Sequence, residues 1–242
     1  MVDLNYFEEL ENNGAVTITD FLNYSDIQDI QNSILSIFNV ENQQDLHLKV
    51  YQLSSENKSH LFLLYQMLGR NTSFLRIVSK IGDFCEKHFP SKSVLCLDTN
   101  ILLGLPNDVR LAHDWHQEEP YYPGLNNPVF TFWFPIMEDS TIEIGTMSTL
   151  DGSHKEGLLP YYCKKKVNGF TELVPRDVDE LTKKYNEDFC ELLLGDVYLF
   201  HHNLIHRSNW NSTSRTRFSG CIRFCVVDQM PERLSGFDAF YA

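Results

Sequence analysis

The sequence is poor in basic residues, and this limits the class of partner that it can bind. Lys and Arg together number 20 against 33 Asp and Glu, which gives a formal net charge of -13 at neutral pH. Nucleic acids and anionic membranes are bound by clustered Lys and Arg, so neither is expected as a partner. A locally basic pocket is compatible with this balance, and we expect a small-molecule substrate. No feature of the sequence indicates an oligomeric state.

Long apolar runs and cysteine pairs are also missing. No apolar run approaches the roughly 18 residues that a membrane-spanning helix needs. The six cysteines contain no C-x-x-C pair, and the acidic N-terminal residues resemble neither the basic nor the apolar region of a secretory signal. We therefore expect free thiols in a reducing compartment, and hence a cytoplasmic protein.

The first part of the chain has a helical pattern. Ser25-Asp-Ile-Gln28 has the form of a capping box and precedes isoleucines at helical spacing. Similar patterns predict helices over residues 56–68 and 73–87. A short β-branched run at 15–19 predicts a strand before the first of them.

The second part, from residue 93, has a β pattern. Short aromatic and β-branched runs alternate there with turn residues, which is typical of a jelly roll. Residues 141–149 are predicted as one of its strands, residues 158–175 as a long loop and residues 178–192 as a helix. The predicted fold class is mainly β with flanking α-helices. One domain is expected over residues 1–242, with helical support at 1–90, a jelly-roll core at 91–230 and a tail at 231–242.

A histidine and a carboxylate stand two positions apart in Trp115-His-Gln-Glu118. On extended backbone such residues share a face, so His116 and Glu118 can point at one metal ion. His206, which follows an apolar strand far downstream, offers a third ligand. Two imidazoles and one carboxylate leave coordination positions open, and this is the ligand set of non-haem Fe(II) oxygenases.

Other residues could replace members of this set. A shift of register would exchange Glu118 for its neighbour, and two further histidines precede His206 closely. A histidine three residues before His116 is expected to face away from the metal. These alternative ligands are Glu119, His201, His202 and His113.

Arg217 stands eleven residues after His206, at the start of the next predicted strand. A guanidinium there can hold a carboxylate bidentately. A metal could then chelate one end of a small dicarboxylate while Arg217 binds the other. Arg215 and Arg223 are the nearest substitutes, and a structural ion pair is the alternative role for Arg217.

These segments together resemble the phytanoyl-CoA dioxygenase family of Fe(II)/2-oxoglutarate-dependent oxygenases. The resemblance covers most of the chain and is most specific downstream. It rests on four segments in the family's order: Trp115–Glu118, Asp151–Lys155, Gly195–His201, and His206–Ser208 leading to Arg217.

The resemblance implies a fold and a set of functional residues. The implied fold is the double-stranded β-helix, a cupin-like jelly roll with N-terminal helices packed on it. The implied iron ligands are His116, Glu118 and His206. The implied contacts to 2-oxoglutarate are Arg217 and Ser208 at the distal carboxylate, and Trp133 as an aromatic neighbour. Ser208 could instead be an ordinary turn residue and Trp133 plain core.

The activity implied by the resemblance uses Fe(II), 2-oxoglutarate and O2. An unactivated C–H bond of a small or medium-sized metabolite is hydroxylated, and succinate and CO2 are released. No catalytic side chain beyond the metal ligands is required. The chain departs from the family at Glu118, where Asp is usual, and the extra methylene moves the carboxylate outward.

Two other classes of function stay open. One is a catalytically silent jelly-roll binding or regulatory protein, and the other is a metal-dependent cupin-like enzyme that does not use 2-oxoglutarate. Within the oxygenases, desaturation, epimerisation or bond cleavage could replace hydroxylation.

The substrate contacts are not identified by the sequence. The loop at 158–175 is expected to shape a pocket together with four residues: Asp98, Asn100, Tyr121 and Tyr122. His154 and Lys155 are expected to hold a turn over the sheet rather than to touch substrate.

Overall fold

The computed structural model describes residues 6–56, 64, 67–108, 112–123, 127–166 and 171–227. It confirms the predicted fold class, since two β-sheets face each other in a double-stranded β-helix and helices cover the larger sheet. The predicted tail at 231–242 and most of the predicted helix at 56–68 lie outside the described residues.

Most of the described helices lie before residue 90, and one follows much later in the chain. The helix bounds are α1 Tyr6–Asn13, α2 Tyr24–Phe38, α3 Gln43–Glu56, α4 Thr72–His88 and α5 Val178–Lys184. None of the described helices is long and apolar enough to cross a lipid bilayer.

The strands form a large sheet, a small sheet and a separate hairpin. The strand bounds are β1 Ala15–Ile18, β2 Ser93–Gly104, β3 Val129–Pro135, β4 Met147–Leu150, β5 Tyr161–Lys165, β6 Thr171–Pro175, β7 Glu187–Phe189, β8 Val197–His201, β9 His206–Ser208 and β10 Arg217–Val227. The large sheet has the order β1-β8-β3-β10-β2, the small sheet has the order β7-β4-β9, and β5 pairs with β6.

The central strand β3 shows how the two layers are built. Successive side chains of a strand point to opposite faces, so Phe132 and Phe134 pack in the core that contains the helices, and Phe134 stacks on Phe74 of α4. Trp133 points the other way, into a smaller cluster with Met147 of the small sheet. The space between the sheets is therefore lined by alternate residues of each strand.

Several local predictions were wrong. The cap of α2 is Asn23 rather than Ser25, because the Asn23 side chain accepts from Asp26 N–H and the Asp26 carboxylate accepts from Asn23 N–H. The predicted helix at 178–192 ends at Lys184, since the following residues pair with β4 as a strand. Tertiary pairing outweighs the helical spacing of this segment.

Two further predictions, for residues 158–175 and 141–149, were also wrong. Residues 158–175 contain the hairpin of β5 and β6 rather than a structureless loop. The strand predicted at 141–149 is confined to Met147–Leu150. Residues before it turn instead, with Gly145 at a φ of 76° and Gly145 N–H bonded to Ile142 O.

Gly220 of β10 is expected to tolerate no side chain. It lies opposite Phe134, and a Cβ at this position would come within 2.2 Å of the Phe134 ring. Gly220→Ala should lower the free energy of unfolding by about 1–3 kcal/mol through overpacking, measured by urea denaturation. Gly82→Ala in α4 is the control, because its Cβ would meet Phe224 at an ordinary 3.5 Å. We expect that control to stabilise the protein by up to about 1 kcal/mol, and equal losses would contradict the packing argument.

Candidate metal centre

Backbone pairing between two distant segments brings His116 and His206 together. The N–H of each residue donates to the carbonyl of the other, at 2.9 and 3.0 Å, in an isolated antiparallel bridge. Glu118 is not on a regular strand, contrary to the expectation for an extended pair. Its backbone is helical, with φ −79° and ψ −34°, and it leads into a short 3-10 turn at Glu119–Tyr121.

The three predicted ligand side chains nevertheless converge. One ligand atom from each of His116, Glu118 and His206 lies within 4.8 Å of the others, and all three residues are buried. Glu118 Oε1 is 3.2 Å from His206 Nε2 and 3.9 Å from His116 Nε2. Within the described part of the chain, this is the sole group of metal-ligating residues with such geometry.

Backbone carbonyls set the tautomer of both histidines. His116 Nδ1 lies 2.7 Å from Asp114 O, and His206 Nδ1 lies 2.9 Å from Leu204 O. A carbonyl can only accept, so each Nδ1 carries a hydrogen and each neutral ring presents the Nε2 lone pair to Glu118. A lone pair and a carboxylate oxygen 3.2 Å apart require a cation or a proton between them, and the donor set fits a divalent metal.

The pKa shifts of the site also favour metal binding. Burial alone raises the pKa of Glu118, but the Arg223 guanidinium and His206 hold it well below its usual range. Burial, together with His206, lowers the pKa of His116 well below its usual value. An ionised carboxylate and a neutral imidazole are the forms in which these groups bind a metal.

The alternative ligands have other contacts. His202 Nδ1 accepts from Val129 N–H, so its protonated Nε2 points to Glu119 Oε2 at 3.5 Å. His201 Nδ1 accepts from Asn203 N–H at 3.1 Å. His113 Nδ1 is 3.4 Å from Glu172 Oε1. Glu118 is therefore the carboxylate that faces the two converging histidines, whereas Glu119 faces His202.

Arg217 and Trp133 are neighbours on the inner face of the large sheet. The Arg217 guanidinium lies over the Trp133 ring, 5.9 Å from its centroid, and both residues are buried. Ser208 lies two positions after His206 on β9, opposite Met147. Arg215, a proposed substitute for Arg217, forms a surface ion pair with Glu138.

Arg223 lies further along β10 on the same face and contacts Glu118 directly. Its Nη2 is 2.8 Å from Glu118 Oε1, and its Nη1 is 3.0 Å from both Asp98 oxygens. The Tyr122 hydroxyl donates to Asp98 Oδ2 at 2.6 Å. The sequence predicts Arg223 only as a substitute for Arg217. The period of two in β10, which puts both arginines on one face, was the signal for its true position.

The hairpin of β5 and β6 packs against the loop that carries the first two ligands. Leu173 N–H donates to the Tyr121 hydroxyl at 3.0 Å, and Lys166 Nζ is 3.1 Å from the buried Glu172 carboxylate. Asp114 N–H donates to the same carboxylate at 3.4 Å. The hairpin thus borders the ligand site.

His154 packs against the N-terminal segment of the chain. Its Nε2 is 3.1 Å from Glu11 O, and its ring lies directly over Gly14, where a Cβ would come within 2.3 Å of it. Lys155 is exposed. These contacts agree with the expectation of a turn that is held against the sheet.

Two facing sheets with two imidazoles and one carboxylate converging between them define the class of the protein. It is a double-stranded β-helix protein with the side-chain set of a facial metal triad. The chain belongs to the phytanoyl-CoA dioxygenase (PhyH) family, whose sequence profile matches residues 10–219. The resemblance inferred from the sequence is thereby confirmed. No curated protein sequence matches the chain significantly.

Solved structures with the same fold include three bound to ligands. EctD from S. alaskensis, with 2-oxoglutarate and 5-hydroxyectoine, is 13% identical with a TM-score of 0.65, over 93% of this chain and 76% of its own. EvdO2 from Micromonospora carbonacea var. aurantiaca, complexed with 2-oxoglutarate, is 15% identical with a TM-score of 0.62, and the match covers 97% of this chain and 96% of the EvdO2 chain. The epimerase SnoN, in complex with Fe3+, alpha ketoglutarate and nogalamycin RO, is 15% identical with a TM-score of 0.58, and the match covers 91% of this chain and 82% of the SnoN chain. These likenesses support the fold.

Proposed function

We propose that the protein is an Fe(II)- and 2-oxoglutarate-dependent dioxygenase. It hydroxylates an unactivated C–H bond of a small or medium-sized metabolite with release of succinate and CO2. The observation that carries this proposal is the convergence of two Nε2 atoms and one ionised carboxylate in a buried site. The buried guanidinium of Arg217, on the inner face of the large sheet, supports it.

His116, Glu118 and His206 would hold the iron. Three protein ligands leave the other coordination positions for co-substrate and O2. The iron, when bound, supplies the redox chemistry, while the protein supplies binding and orientation. The carbonyls of Asp114 and Leu204 keep both Nε2 atoms directed at the iron position.

Arg217 would bind the distal carboxylate of 2-oxoglutarate. Its burial beside Trp133 strengthens a charge-assisted bond to a carboxylate, because little water competes there. The Trp133 ring also restricts the orientations that the guanidinium can take. Ser208, on the strand of His206, would donate its hydroxyl to the same carboxylate.

A second outcome of the same chemistry has a specific observation in its favour. SnoN is an alpha ketoglutarate dependent epimerase and SnoK is a carbocyclase of the same kind, and both share this fold. Epimerisation or ring closure is therefore the second candidate for the reaction of this protein.

The test is an anaerobic titration of the Fe(II)-loaded protein with 2-oxoglutarate. We expect a weak metal-to-ligand charge-transfer band in the visible spectrum, followed by succinate release when O2 and a metabolite panel are added. A folded protein that binds Fe(II) but forms no band would be a cupin-like metalloenzyme of another type. One that binds neither would be a binding or regulatory protein.

A further inference from the structure

Glu118 has a more difficult positioning problem than an aspartate at the same place. A glutamate side chain has one more rotatable bond, and fixing each torsion costs conformational entropy. The Glu118 backbone is helical rather than extended, so the strand pairing that places His116 and His206 does not by itself direct this carboxylate. A further contact has to hold it between the histidines.

Arg223 provides that contact. Its Nη2 is 2.8 Å from Oε1 of Glu118, the same oxygen that lies 3.2 Å from His206 Nε2. The guanidinium is itself fixed, because Nη1 bonds both oxygens of Asp98 and Tyr122 O–H holds one of them. Only 14% of the Arg223 side chain is exposed, so packing restricts it as well.

We propose that Arg223, oriented by Asp98 and Tyr122, is the positioning residue that holds the longer Glu118 side chain in the metal-ligand position. Outer partners of metal ligands act in this way, since they orient the ligand before the metal arrives. The inference rests on the proposed metal centre and assigns a role to a residue that is not itself a ligand.

At a pH where Glu118 stays ionised without Arg223, a purely electrostatic role for Arg223 predicts the opposite result, and the titration is carried out there. A positive charge close to Oε1 repels a divalent cation, so its removal would tighten metal binding if charge were its whole effect. If Arg223 positions Glu118, its removal weakens metal binding. The sign of the change in affinity therefore separates the two roles.

The experiment is a Co(II) titration of the full chain, followed by its visible absorption. Arg223→Met is expected to lower Co(II) affinity by about 10–100-fold, and Arg223→Lys to lie between it and the wild type. In the Glu118→Asp background the shorter side chain needs no such contact, so Arg223→Met should change affinity by less than about threefold. Arg215→Met is the matched control, because Arg215 forms an ion pair with Glu138 at the surface, and its affinity should equal that of the wild type.

A milder variant covers the case in which Arg223→Met does not fold. Tyr122→Phe removes one hydroxyl and keeps every charge, so its circular dichroism and melting curve serve as the check on folding. We expect Co(II) affinity to fall by about threefold in this variant.

Three results would overturn the inference while leaving the metal centre intact. They are unchanged or tighter Co(II) binding by Arg223→Met, equal effects of that substitution in the wild-type chain and in the Glu118→Asp variant, and unchanged affinity in folded Tyr122→Phe. Absence of Co(II) binding by the wild-type chain would instead overturn the metal centre and, with it, the role of Arg223.

Discussion

His206→Ala is expected to abolish both Fe(II) retention and succinate release. His206 supplies one Nε2 of the buried cluster and makes the shorter of the two histidine contacts to Glu118, at 3.2 Å. Loss of an outer partner alone typically costs 10–100-fold in metal affinity, so we expect loss of a ligand to cost at least about 100-fold. The measurement is iron content after gel filtration, together with the 2-oxoglutarate charge-transfer band.

His202→Gln is the control for this prediction. His202 is close in sequence and half-buried, but its Nδ1 accepts a hydrogen bond from Val129 N–H and its Nε2 faces Glu119. This variant should therefore retain iron and the band. Full iron content in folded His206→Ala, or its loss in His202→Gln, would show that the third ligand has been assigned to the wrong histidine.

Arg217→Met is expected to weaken 2-oxoglutarate binding without changing Fe(II) binding. Arg217 is only 7% exposed, and loss of one partner of a buried charge pair costs about 2–5 kcal/mol. The dissociation constant for 2-oxoglutarate should therefore rise by roughly 100-fold, as read from the band at fixed Fe(II). Arg217→Lys keeps the charge but not the planar fork, so its affinity should lie between those of the wild type and Arg217→Met.

Arg215→Met serves as the control here too, since Arg215 is close to Arg217 in sequence but lies at the surface. If Arg217→Met bound 2-oxoglutarate normally, Arg217 would be a structural residue and another group would hold the distal carboxylate. If it lost Fe(II) as well, the substitution would have disturbed the whole inner face of the sheet.

The family, the fold class and the ligand candidates could be predicted from the sequence. The spacing of Trp115–Glu118 and the later His206–Ser208 segment with Arg217 was enough, because metal ligation restricts residue types strongly. The alternation of side chains along a strand also explains why the structure places Trp133 and Arg217 side by side on the inner face of the large sheet. The order of the ligand segments along the chain and the alternation of side chains along a strand are both visible in a single sequence.

The way in which the ligands meet depends on long-range pairing, which no local pattern displays. The bridge between His116 and His206 joins segments about ninety residues apart, and the helical backbone of Glu118 follows from the turn after it rather than from its own pattern. Pairing with β4 likewise ended α5 early and made Glu187–Phe189 a strand. The contact between Arg223 and Glu118 depends on the same long-range pairing, because a charged pair becomes specific only when the fold buries both partners together.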